Sequence, residues 1–505
     1  MTRNAAGAGG GAGSAKLRKT MKLSRRQFLR SASAAGAALA LGPDRAVSFA
    51  RPIDRAAFGF PDPARHWHGD SSIGAALRAD GPAKAGHHVL NGPAKAGHYV
   101  QKRRQSAKPA RVPGDQPPNQ APRGLAERFP DVSRHFVFEY YPWYAASPYR
   151  HWEASERKPP ADVASNYMPR LGAYDSRSAA VMEQHAAWMA DAGIGAINVS
   201  WWGRDSDTDL VVPTLMDVMS AHGIHVAFHL EPYTDAHALN YARDVQYLVT
   251  QYGDRRRWDC FLLLGHAGGA IGPVFKSFRT ILPPQSTDCH GVTTAVPDYA
   301  TDAVWRDQTD RVRKLLAGDF DRVTLLADSL DFKRTEACGF DGIAVYDNFV
   351  EPDTWASHAR RCTERGLLFS FNINPGYDGI EPRHVEPGSC YSPLPFEPGK
   401  GKYDWSRALD RETAAAASQA RIAESLRTTV ALQTDPGFTN ARRGFFLAYL
   451  TSFNEWHEGT QYEPMKNHAD LSDEERAIGY HDPDNGNYRL AALRALLADV
   501  MAPRL

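Results

Sequence analysis

The sequence predicts a (β/α)8 barrel, a TIM barrel with long loops after its strands, and three observations carry that prediction. Short apolar or β-branched runs alternate with helical patterns from about residue 129 to the C-terminus, which is the signature of a parallel sheet. Eight such runs fall within that span, a number that favours a closed barrel over an open sheet. Polar and aromatic residues gather at the ends of six of the runs, and in barrels of this kind the chemistry sits at the C-terminal ends of the strands.

The predicted strands, in order, are 135–143, 196–202, 225–232, either 261–265 or 272–278, 322–327, 342–348, 367–375 and 445–453. Helical spacing is expected over 178–192, 210–222, 236–252, 303–316, 354–365, 411–427 and 489–501. Strand one ends in Glu139-Tyr140-Tyr141-Pro142-Trp143-Tyr144, strand two in Ser200-Trp201-Trp202, and strand three in His229-Leu230-Glu231-Pro232-Tyr233. Strand six ends in Tyr346-Asp347-Asn348, and strand seven runs into Asn372 and Asp378.

The eighth run leads into Ser452-Phe453-Asn454-Glu455-Trp456-His457-Glu458-Gly459-Thr460-Gln461. An amide, two carboxylates, an indole and an imidazole beside a core are costly unless they pair or act. Glu455 and Glu458 stand three residues apart, so a coil at this point places them on one face with Cβ atoms roughly 5–6 Å apart. Paired carboxylates at such separations cleave glycosides with retention of configuration.

The 505-residue chain is 43% hydrophobic, enough to bury a large core, and its formal net charge of +1 suggests neither nucleic acid nor an anionic membrane as partner. Its 11 Trp and 20 Tyr suit sugar-binding surfaces, flat and apolar with a polar edge, although cores use them too. The five cysteines show no metal spacing, and their odd number leaves at least one outside any intrachain disulfide set. His229-Leu230-Glu231 lacks the Pro-Cys-x-x-Cys of zinc deaminases, and His457-Glu458 is not His-Glu-x-x-His.

Upstream, Ser24-Arg25-Arg26-Gln27-Phe28-Leu29 precedes a mild apolar stretch over 31–42. It reads as a twin-arginine export signal, with cleavage expected after Ala50 and the export machinery as transit partner. The apolar stretch is too short for a membrane span, and delivery is expected to the periplasm or the outside. Residues 51–128 read as a linker: Pro, Ala, Gly, Lys and Arg dominate, with Gly-Pro-Ala-Lys-Ala-Gly-His occurring twice, at 81 and 92, as an 11-residue repeat. The catalytic domain is expected over 129–505.

With the motifs at Tyr140–Tyr144, His151-Trp152, Ser200-Trp201, His229–Tyr233, Gly339-Phe340-Asp341-Gly342 and Ser452–Gln461 in view, the chain resembles glycoside hydrolase family 99, the endo-acting α-mannosidases and α-mannanases. The resemblance covers roughly residues 136–463. It implies a (β/α)8 barrel and retaining cleavage of an α-linked oligosaccharide or polysaccharide, with no metal or other cofactor. In the implied mechanism Glu455 takes a proton from the sugar's own 2-hydroxyl, which attacks the anomeric carbon to give a 1,2-anhydro intermediate. Glu458 protonates the leaving oxygen and then activates water. Glu231 matches a sugar-contacting carboxylate, Tyr346 a tyrosine near the reacting sugar, and Arg383 a cleft arginine; Tyr141 and Trp201 match wall residues. His229, Tyr233, Asn454, Trp456 and His457 complete the expected substrate-binding set. One departure stands out: Gly272-Pro273-Val274-Phe275-Lys276-Ser277-Phe278 replaces a tyrosine-rich fourth-strand segment, and 265–299 looks inserted or remodelled. That leaves open a related glycosidase or transglycosylase on another α-linked exopolysaccharide, or a glycan-binding barrel without catalysis.

Overall fold

The computed structural model describes residues 125–502 except 289, 386 and 388–394, with the backbone alone for 254–257. The export signal and nearly all of the linker therefore lie outside the described residues. Among the described residues, a helical turn Leu125–Arg128 falls at the end of the expected linker. Leu125 is buried there, and Arg128 donates to the Thr434 carbonyl at 3.0 Å.

The alternation written in the sequence becomes eight parallel strands: β1 (Phe136–Tyr140), β2 (Ala196–Trp201), β3 (His225–Leu230), β4 (Ile271–Ser277), β5 (Thr324–Ala327), β6 (Gly342–Ala344), β7 (Leu368–Ser370) and β8 (Ala448–Leu450). They pair in chain order, and β8 returns to β1. Between β7 and β8 the ring closes through an Ile373–Leu450 bridge, with the Ile373 amide donating to the Tyr449 carbonyl at 2.8 Å.

Helices follow the strands: α1 (Ala179–Asp191), α2 (Val212–Ala221), α3 (His237–Leu248), α4 (Asp302–Leu316), α5 (Phe332–Ala337), α6 (Pro352–Glu364), α7 (Ala408–Thr434) and α8 (Tyr488–Met501). The sequence reading omitted α5, whose six residues are too few to show a helical period. Asp331 caps it by accepting from the Arg334 amide at 3.0 Å, a bond suited to a helix start.

The ambiguous fourth strand resolves in favour of 272–278. Leu263–Gly265 instead runs antiparallel beside the start of β4. Gly272 is required at that crossing, because a Cβ would stand 1.4 Å from the Arg322 carbonyl oxygen. The segment expected to be remodelled carries an extra hairpin, Gln285–Thr287 with Thr293–Ala295. A buried Arg279–Asp298 ion pair anchors its base.

Side chains alternate across every strand, and this parity separates two cores. Val137, Ala196, Ala227, Val274, Leu326, Ala344, Leu368 and Tyr449 fill the barrel interior. Phe138, Val199, Trp201, Phe228, Phe275 and Leu325 face outward, against Met182, Leu215, Val245, Trp305, Ile422 and Leu493 of the helices. Near β6 and β7, Ile343, Val345, Phe369 and Phe371 pack on Trp355 and Ala359 of α6. Residues that continue the inward parity past the interior core reach the C-terminal mouth. Among the described residues no helix is long and apolar enough to cross a membrane.

Candidate active site

Past the buried β8, the Ser452 hydroxyl accepts the Glu455 amide at 2.8 Å and contacts the Thr460 hydroxyl at 2.9 Å. Glu455 leads into a single 3-10 turn, Trp456–Glu458, and Gly459 closes it at a φ of 65°. Glu455 therefore flanks the turn and Glu458 ends it, three residues on. Only glycine fits at 459: a Cβ would meet the Asp378 carbonyl oxygen at 2.3 Å. Glu455 is wholly buried and Glu458 nearly so.

The two glutamates have different surroundings. Tyr346, at the inward position just past β6, donates its hydroxyl to Glu458 Oε2 at 3.2 Å. It receives in turn the Tyr141 hydroxyl at 2.8 Å. Glu455 acts instead on Tyr144, whose hydroxyl is raised well above its usual pKa by burial and then by the Glu455 charge.

Several expected sugar contacts serve the scaffold. Both ends of the Asn454 amide clamp the Tyr141 backbone, accepting from its N–H at 2.8 Å and donating to its carbonyl at 3.0 Å. The Trp456 indole donates to Glu463 Oε2 at 3.0 Å. Glu463 also takes the Tyr174 hydroxyl at 2.7 Å and faces His185 Nε2 at 3.1 Å. His457 stacks on Tyr144 at 5.6 Å, with His151 at 5.7 Å. These contacts tie the turn at Glu455–Glu458 to the residues around it.

Trp201 also departs from expectation. It has outward parity, and its indole donates to Asp209 Oδ1 at 2.7 Å, a carboxylate that also takes the Tyr247 and Tyr252 hydroxyls. Its neighbour Trp202 has the inward parity and joins the aromatic cluster of Tyr141, Trp143, Phe278 and Tyr346. Tyr233 is half-buried and donates to Asp244 Oδ2 at 2.7 Å. Arg383 pairs with Asp162 on the rim, 42% exposed.

His229 and Glu231 reach the interior as expected, in company the sequence reading omitted. Across β1 to β4 the inward positions carry Glu139, Asn198, His229 and Lys276, all wholly or almost wholly buried. Glu139 accepts from Lys276 Nζ at 2.5 Å and from Asn198 Nδ2 at 2.9 Å, and it meets His229 Nδ1 at 3.1 Å. Burial pushes the Glu139 carboxyl up, but the Lys276 charge and His229 outweigh it and hold it at about 2. Lys276 Nζ also lies over the Tyr449 and Tyr346 rings, at 4.6 and 5.3 Å. Glu231 accepts the Ser200 hydroxyl at 2.7 Å, and Ser200 takes the Trp202 indole at 3.0 Å. Past β5, Asp328 accepts the Tyr346 amide at 3.1 Å, and burial raises its carboxyl to about 6. A charged residue at an inward position of an apolar strand was the available signal: Glu139 in Phe-Val-Phe-Glu-Tyr and Lys276 in Pro-Val-Phe-Lys-Ser need each other. Among the described residues no group of three or more His, Cys, Asp or Glu is placed to hold a metal ion.

Comparison with known proteins bears on this arrangement. The family model described as "Glycosyl hydrolase family 99" matches residues 132–260, a span that includes the Glu139, Asn198 and His229 positions. The mouse protein named glycoprotein endo-alpha-1,2-mannosidase is 25% identical over 369 residues, covering 67% of this chain and 69% of that protein. A zebrafish protein named glycoprotein endo-alpha-1,2-mannosidase-like is 27% identical over 362 residues, covering 64% and 69%. These matches give the chain a similarity to glycosyl hydrolase family 99. A family 99 endo-alpha-mannosidase structure from Bacteroides thetaiotaomicron, in complex with bis-tris propane, aligns at a TM-score of 0.50 and 20% identity. It covers 73% of this chain and 97% of its own, a likeness that speaks to the fold alone. The chain is a glycoside hydrolase, and its interior polar layer and the turn at Glu455–Glu458 occupy the face where barrel enzymes carry their chemistry.

Proposed function

We propose that the chain is an endo-acting, retaining hydrolase of α-mannosidic linkages that works through the substrate's 2-hydroxyl. The observation that carries this is the turn after β8 that holds Glu455 and Glu458 three residues apart, with Glu458 taking the Tyr346 hydroxyl, which in turn takes that of Tyr141. Acid and base duties require two carboxyls in different environments. In this reading Glu455 accepts the 2-hydroxyl proton as that oxygen attacks the anomeric carbon. Glu458 gives its proton to the leaving oxygen, and Tyr346 orients its carboxyl. Water activated by Glu458 then opens the 1,2-anhydro sugar, so two inversions give net retention. The names of the mouse and zebrafish relatives support the sugar assignment.

Digestion of α-mannans and α-mannosylated oligosaccharides should release internal fragments rather than single mannose units. The first product, followed by proton NMR before mutarotation, should carry the α-anomer. Release of mannose alone, or of a β-anomer, would overturn the endo-acting or the retaining assignment respectively.

One observation favours a second reading. Phe278 ends the fourth-strand segment that stands in place of a tyrosine-rich one, its ring 5.7 Å from both Tyr346 and His229. Phenylalanine offers no hydroxyl to a sugar on that side, so a related retaining action on another α-linked polysaccharide is the alternative. Including α-glucans in the same digestion distinguishes the two.

Export through the twin-arginine route belongs to the same proposal and rests on Ser24-Arg25-Arg26-Gln27-Phe28-Leu29. Cells expressing the Arg25→Lys/Arg26→Lys variant should retain the enzyme in the cytoplasm on fractionation; an unchanged exported fraction would refute the signal.

A further inference from the structure

Arg489, the second residue of α8, is a cation at 1% exposure. The first turn of a helix is an unfavourable place for positive charge, and burial adds a desolvation cost that a facing carboxylate would offset. Arg489 has no such partner: among the described residues its guanidinium donates only to carbonyl and phenol oxygens. Nη1 donates to the Gly459 and Gln461 carbonyls, each at 2.8 Å. Nε donates to the Tyr488 hydroxyl at 2.9 Å, and Nη2 to the Tyr167 hydroxyl at 3.4 Å. The Tyr167 and Tyr488 rings lie against the same guanidinium, at 5.0 and 5.7 Å. A placement that helix stability disfavours is thus held by bonds to the chain just past Glu458, and a charged donor makes the stronger kind of hydrogen bond.

The two carbonyls complete the fixing of this segment. The Ile380 amide donates to the His457 carbonyl and the Asp378 amide to that of Glu458, both at 2.9 Å. Asp378 is itself anchored, its carboxylate facing His481 Nδ1 at 2.7 Å. Gly459 and Gln461 are buried, so without Arg489 their carbonyls lose their donor away from water, which is costly. The two glutamates therefore have separate anchors. The Ser452 hydroxyl holds the Glu455 amide at the entrance of the turn, and Arg489 holds the chain at its exit, directly after Glu458.

We propose that Arg489 is a positioning residue for the acid step: by fixing the Gly459 and Gln461 carbonyls it sets where the Glu458 carboxyl stands against the leaving oxygen. The proposal rests on the acid role given to Glu458 above and adds the residue that holds the acid in place. Loosening the exit of the turn displaces Glu458, while Ser452 still holds the Glu455 end.

The test uses Arg489→Lys, which keeps the charge and loses the planar group that reaches both carbonyls and both phenols. On substrates with sugar or alkyl leaving groups, kcat should fall by about ten- to a hundredfold, the scale of a misplacement of roughly 1 Å, with KM little changed. Aryl glycosides with activated leaving groups need little protonation, so they should recover most of that rate. Tyr488→Phe deletes only the hydroxyl that takes Nε. It should show the same leaving-group pattern at a smaller amplitude, about two- to tenfold. Rates are taken per folded enzyme, with thermal melting of each variant alongside, because a loss of folded protein lowers every rate by one factor. Glu458→Gln is run in parallel as the reference for a missing acid. Equal losses on activated and unactivated substrates, or no loss in the folded variants, would overturn the proposal. Rescue of Glu458→Gln without rescue of Arg489→Lys would also overturn it, and would leave the acid role of Glu458 standing. If the activated substrate rescues neither variant, the acid role falls and the proposal falls with it.

Discussion

Glu455→Gln and Glu458→Gln should each cut turnover by about 10²–10⁴-fold, the usual contribution of a general acid or base, with folding preserved because each change keeps size. The two variants should then part company. A substrate with an activated leaving group needs little protonation, so it should restore much of the rate to Glu458→Gln. It should do nothing for Glu455→Gln, because attack by the 2-hydroxyl still lacks its base. For the same reason a 2-deoxy substrate should fail with the wild type. Stopped assays on the two variants with aryl and alkyl glycosides read this directly. Normal turnover of 2-deoxy substrates, or azide rescue of Glu455→Gln as an inverted glycosyl azide, would make Glu455 a direct nucleophile. The Tyr346 hydroxyl donates to Glu458, which gives the acid a positioned partner.

The second large effect concerns stability. Lys276→Met leaves the Glu139 carboxylate inside the barrel with its main counter-charge gone, and breaking a buried pair from one side costs about 3–5 kcal/mol. Urea unfolding should show that loss. The double variant Glu139→Leu/Lys276→Met should recover most of it, because removing both charges leaves no desolvated ion. The pH dependence has a definite sign. Glu139 is held at about 2 against an ordinary 4.5, so the folded state binds its proton less readily than the unfolded chain does. Its contribution is complete above pH 4.5 and is lost as the pH falls towards 2. The double variant should show a flatter acid limb in that window. An acid limb unchanged from wild type would show that the pair does not govern it.

Strands, helices and the catalytic turn were legible because each depends on spacing along the chain. Short apolar or β-branched runs marked the eight barrel strands, and Glu455 and Glu458 stood three residues apart after a buried run. The fourth strand was ambiguous because 261–265 and 272–278 are both short and apolar, and only the ring of neighbours separates a barrel strand from a hairpin partner. The helix Phe332–Ala337 is shorter than two helical turns, so it left no period to read.

Residue type and motif position marked Trp201, Trp456, His457 and Asn454 as sugar contacts, and the structure gives each a partner within the protein, two of them near in the chain and two far away. Asp209 takes the Trp201 indole, Glu463 takes the Trp456 indole, Tyr144 stacks on His457, and Asn454 clamps Tyr141 across 313 residues of chain. Glu139 and Lys276 lie 137 residues apart and meet only when β1 and β4 curve around a common interior. Local pattern therefore set the barrel, the glutamate pair and the inward parity of His229 and Glu231. Closure of the ring settled which polar groups satisfy one another, because a hydrogen bond depends on distances in space that spacing along the chain does not encode.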